Sequence, residues 1–115
     1  MSEDFSPSKY FEMGIECVRN KDYQKALENY EKAVKLEPLY RDLWFQIGWV
    51  YSCLYNEQKP VEIFDDIYDN PFGSSEEIDY LSKKIIESYT KEINNHPDNY
   101  EAFYNLGLHY QNEIK

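Results

Sequence analysis

The chain has 115 residues, a single-domain length, with 42% hydrophobic and 17% aromatic side chains to fill a core. Its 22 acidic and 12 basic residues give a net charge of −10, which sets nucleic acid and anionic membrane aside as partners because phosphate would be repelled. No apolar run approaches the ~18 residues of a membrane span, and the acidic opening Met1-Ser2-Glu3-Asp4 is unlike a signal segment; the expectation is a soluble cytoplasmic protein with a natural start at Met1.

In chain order, the first six residues read as frayed, and Ser6-Pro7 or Ser8 opens a helix to about Arg19. Asn20-Lys21-Asp22 turns the chain into a second helix to about Leu36, ended by Pro38. A third helix runs from about Arg41 to about Tyr55, and Asn56 to Pro60 reads as a break. Val61, Phe64, Ile67 and Tyr68 fit one face of a short helix, and Asn70 to Ser75 is a loop. Ser74-x-x-Glu77 is a capping box for a long helix to about Asn94; after the turn His96-Pro97-Asp98-Asn99, a last helix begins near Tyr100. The count is five or six helices.

Three of these helices carry one pattern of aromatic, two residues, apolar, Gly, two residues, bulky. It reads Tyr10-x-x-Met13-Gly14-x-x-Cys17, then Trp44-x-x-Ile47-Gly48-x-x-Tyr51, then Phe103-x-x-Leu106-Gly107-x-x-Tyr110. The first two glycines are 34 residues apart and the next two 59, so a period holds once and is then stretched by an insertion. Each set lines one helix face. Glycine costs a helix about 1 kcal/mol relative to alanine, so three in one register imply close approach of a partner helix. Ala26 and Ala33 offer small surfaces for that contact, with Tyr10, Tyr30 and Trp44 filling the space around them.

The period and motif resemble the tetratricopeptide repeat, a two-helix unit of about 34 residues with W-x2-L-G-x2-Y in its first helix and A-x3-F then Pro in its second. Ala26-x3-Tyr30, Ala33 and Pro38 match the second-helix signature. Tyr89 and Pro97 repeat it 59 residues on from Tyr30 and Pro38, but Ile85 and Glu92 stand where Ala26 and Ala33 stood. The resemblance implies an all-α fold, a short right-handed solenoid of antiparallel helix hairpins. Its divisions are repeat one at about 7–40, repeat two at about 41–99 with an acidic insertion at about 56–80, and a half repeat at about 100–115.

The resemblance also implies a non-enzymatic scaffold that binds a peptide or protein segment in a groove lined by the first helices. Groove positions by the family pattern are Phe11, Ile15, Phe45, Gln46, Trp49, Tyr104, Asn105 and Leu108. That strip is largely apolar and aromatic, as interface centres are. A folded-back insertion bringing Phe64, Ile67, Tyr68 and Phe72 is the competing occupant. Family members that hold the Glu-Glu-Val-Asp tails of heat-shock chaperones use cations and amides at positions occupied here by Phe11, Ile15, Gln46, Glu101 and Asn105. No cation remains and Glu101 would repel a carboxylate, so those tails are not expected partners. The unpaired last helix leaves an open edge, and a segment of a larger array or a self-assembling module is the alternative role.

Charge is uneven: residues 1–59 are net −2 and residues 60–115 net −8. Glu62, Asp65, Asp66, Asp69, Glu76, Glu77 and Asp79 form an acidic stretch without a base, which either solubilises an insertion or meets a basic partner. Asp65-Asp66-x-x-Asp69 resembles an aspartate-rich magnesium-diphosphate motif, but the chain lacks room for the large pocket and second motif that chemistry needs. His96 and His109 lack the spacing of a zinc site, no phosphate loop appears, and Cys17 and Cys53 read as free buried thiols. No cofactor, metal or catalytic residue is expected.

Overall fold

The computed structural model describes residues 5–58 and 75–114. Five helices follow in order, α1 Pro7–Arg19, α2 Tyr23–Leu36, α3 Leu43–Gln58, α4 Ser75–Asn95 and α5 Tyr100–Ile114, with no strand among the described residues. The fold is an all-α helical repeat. Helix α1 packs on α2 and α3 on α4, while α2 meets α3 and α4 meets α5 to join the units. The expected short helix at 61–68, its neighbouring loop and Ser74 of the capping box lie outside the described residues.

Local chemistry sets the boundaries. The Ser6 hydroxyl accepts from the Lys9 amide (3.2 Å) and Pro7 occupies the first turn, where its missing N–H costs nothing. The turn after α1 places Lys21 at φ 62°, a left-handed conformation that ends the helix and leaves Asp22 to cap α2 through the Lys25 amide (3.4 Å). Two expected boundaries shift. Helix α3 begins at Leu43, because Asp42 stands at φ 71° and cannot be helical. It then continues through Asn56 and Glu57 to Gln58, where the polar run had suggested a break; Tyr55, buried against Leu81 and Ile85, holds that last turn onto α4.

The core forms two clusters. Tyr10, Ala26, Tyr30, Ala33, Leu43, Ile47 and Val50 are buried around the first hairpin, and Tyr55, Leu81, Ile85 and Tyr89 around the second. The glycine register explains the first contact of each. A Cβ on Gly14 would lie 2.6 Å from Tyr30 Cδ1, and one on Gly48 would lie 2.7 Å from Tyr89 Cε1, so each glycine is the notch that seats a tyrosine of the partner helix. Gly107 departs from the expectation: among the described residues nothing lies within 4 Å of its Cβ position. Cys17 and Cys53 are free thiols, as expected, but half-buried rather than enclosed.

Candidate functional site

A polar latch fixes where α5 stands relative to the first hairpin. The Glu92 carboxylate is fully buried, and its Oε2 accepts from the Asp42 backbone N–H (3.0 Å) and from Asn99 Nδ2 (2.9 Å). The same Asn99 amide reaches Asp42 Oδ1 at 2.8 Å, while Asn99 Oδ1 accepts from the Ala102 amide (3.4 Å) and caps α5. At the rim, Arg41 pairs with Asp98 at 2.6 Å and holds that carboxyl below the usual range. His96 Nε2 lies 2.8 Å from the Leu39 carbonyl, which fixes the tautomer with the proton on Nε2. Glu92 thus takes the place of a small alanine because a carboxylate there joins the turn after α2 to the turn after α4.

With α5 held in this way, a cavity of about 160 Å³ opens between it and α3, lined by Trp49, Ser52, Tyr55, Asn56, Asn105, Leu108 and His109. Trp49 is 42% exposed and Leu108 39%, so two large apolar side chains flank the opening. His109 forms the floor, buried edge-on to Tyr55 (5.0 Å) and 2.8 Å from Ser82 Oγ. Asn105 Nδ2 donates to the Glu101 carbonyl at 2.8 Å, which sets its rotamer. Apolar flanks, a polar floor and concave shape suit a protruding side chain of another polypeptide.

Of the eight groove positions read from the sequence, Trp49, Asn105 and Leu108 come together on this cavity. Tyr104 is exposed beside them on α5, and Gln46 is half-buried on α3. Phe11, Ile15 and Phe45 are half-buried and shared with the core: Phe11 packs on Tyr30 (5.9 Å) and Tyr40 (5.2 Å), and Phe45 on Tyr89 (5.7 Å). Ser52, Tyr55, Asn56 and His109 were missed as lining residues. The i, i+3 spacing of Trp49 and Ser52 and the i, i+4 spacing of Asn105 and His109 place each pair on one helix face, and that is the signal that could have found them. In the acidic set, Glu76, Glu77 and Asp79 are exposed at the start of α4, whereas Glu62, Asp65, Asp66 and Asp69 lie outside the described residues.

A second cavity, about 190 Å³, lies among α2, α3 and α4 and is walled by Leu27, Val34, Trp44, Ile47 and Tyr51. Lys91 sits over the Trp44 ring at 4.4 Å, so this tryptophan is taken up by packing. Burial pushes the Cys53 thiol up, away from the thiolate form a nucleophile needs. Among the described residues no cluster of three metal-ligating side chains occurs and no helix is long and apolar enough to cross a membrane.

Residues 7–40, which span α1 and α2, match the tetratricopeptide repeat family profile. An uncharacterized protein of Methanocaldococcus jannaschii is 41% identical over 65 residues, a match covering 56% of this chain and 76% of that protein. The glycine notches, the Ala26-x3-Tyr30 helix and the matched span agree, and the chain belongs to the tetratricopeptide repeat family, typically a non-enzymatic scaffold for protein–protein interaction.

Proposed function

We propose that this protein holds a peptide or protein segment in the groove between α3 and α5, with Trp49 and Leu108 as anchors and Asn105 and Tyr104 at the polar edge. Phe11, Ile15, Phe45 and Gln46 extend the strip toward α1 and support it from the core side. The unit at work is about two and a half repeats, 7–40, 41–99 with its insertion, and 100–115. The observation that carries the reading is Trp49: a tryptophan 42% exposed at the mouth of a concave cavity, on a helix whose other apolar side chains are buried or half-buried. Tryptophans in such settings dominate interface energetics.

The groove lacks Lys and Arg at the positions named above, so the occupant is apolar at its anchor and is not the acidic tail of a heat-shock chaperone. The test is selection of binding peptides from a random display library against the full chain, followed by titration against Trp49→Ala. Loss of about 2 kcal/mol, roughly 30-fold, with an unchanged melting temperature supports the groove. Equal affinity for Trp49→Ala places the site elsewhere. A peptide pool rich in Lys and Arg whose binding vanishes at high salt favours the acidic segment instead.

A further inference from the structure

The geometry points to a second, separate surface: the outer face of α5 is a self-complementary seam through which two copies of this chain pair as an antiparallel, two-fold dimer. Among the described side chains of α5, Ala102 and His109 are buried and Leu106 half-buried, one stripe that faces α4. The stripe beside it, Tyr100, Phe103, Gly107 and Tyr110, is exposed, by 79%, 48% and 46% for the three aromatics in turn, and among the described residues nothing lies within 4 Å of the Gly107 Cβ position. Its spacing of three, four and three residues is that of an apolar seam between paired helices.

The two complete hairpins state what such a seam accepts. The equivalent faces, Tyr10-Gly14 on α1 and Trp44-Gly48 on α3, each receive a tyrosine ring from the partner helix into the glycine notch, Tyr30 in one case and Tyr89 in the other. Helix α5 holds the notch, Gly107, without its tyrosine. It also holds a half-exposed tyrosine, Tyr110, one turn away on the same face. Two α5 helices running antiparallel about an axis between these positions set Tyr110 of each copy into Gly107 of the other, forming the same contact twice. An isologous arrangement of this kind closes at two copies. It is independent of the α3–α5 groove, because Trp49 and Leu108 lie on a different face.

Sedimentation equilibrium of the full chain over about 10 µM to 1 mM tests this, the range a small one-helix interface requires. The expected result is a mass rising from one chain to two and stopping there. Gly107→Leu fills the notch where the monomer has open space, so it should weaken dimerisation at least about tenfold with helicity and melting temperature no lower than wild type. Tyr110→Ala, at a half-exposed position, should do the same, while Trp49→Ala should leave the dimer intact. A monomer throughout the range, an open-ended polymer, or a Gly107→Leu chain that dimerises as the wild type does would each overturn the proposal.

Discussion

Alanine at the three equivalent glycines should have different signs of effect. At Gly14 the new methyl would sit 2.6 Å from Tyr30 Cδ1 and closer still to Cε1. Tyr30 is fully buried and backed by Phe11, so its ring has no room to withdraw. Overpacking of this kind costs about 1–3 kcal/mol, against which alanine returns about 1 kcal/mol of helix propensity. The net expectation is a loss of up to about 2 kcal/mol. At Gly48 the contacts with Tyr89 are slightly longer, 2.7 to 3.1 Å, and the loss should be smaller, on the order of 1 kcal/mol. At Gly107 no described residue lies within 4 Å, and alanine should stabilise by up to about 1 kcal/mol. Urea unfolding followed by circular dichroism, at low micromolar protein so that association does not enter, gives all three values on one scale. A stabilising Gly14→Ala, or a Gly107→Ala as damaging as the other two, would refute the notch argument.

Other expectations concern the buried polar groups. Glu92→Ala strips the Asp42 amide and the Asn99 side chain of their acceptor and should cost about 2–3 kcal/mol in urea unfolding, while Glu92→Gln, which keeps an acceptor oxygen, should cost clearly less. The Tyr30 hydroxyl is buried with no hydrogen-bond partner among the described residues, so Tyr30→Phe should be neutral or raise stability by about 1 kcal/mol; a loss would mean the hydroxyl is satisfied. Burial pushes Tyr89 and Tyr51 up to about 12 from an ordinary value of 10.0. Because the unfolded chain ionises first, stability from these groups is complete below pH 10 and falls between pH 10 and 12. Tyr89→Phe should flatten that decline in a series of thermal melts.

Much of the fold was legible because its determinants are local. The Ser6-Pro7 start and the Asp22 cap lie within a few residues of what they control, and α1 and α2 followed from them. The start of α3 was misplaced because it depends on Asp42 at positive φ, a conformation held by Glu92 and Asn99, 50 and 57 residues away. Periodicity carries no such signal. That Trp49, Asn105 and Leu108 share one cavity was legible from the repeat register. That Phe11 and Phe45 turn partly into the core was not, since it rests on Tyr30, Tyr40 and Tyr89 reaching over from other parts of the chain. The Gly107 face shows the limit of the pattern: the repeat places the glycine, but its register does not say that no described residue packs into the notch.

The central claim is that the α3–α5 groove binds another polypeptide through an apolar anchor. Its most direct test is parallel capture from native lysate on wild-type and Trp49→Ala chains of equal melting temperature, each washed at low and at high salt, with bound proteins identified by mass spectrometry. A protein retained by the wild type at high salt and lost on Trp49→Ala is the predicted result, since salt screens charge and leaves apolar burial in place. The same proteins on both chains, or binding that only low salt preserves, would contradict it.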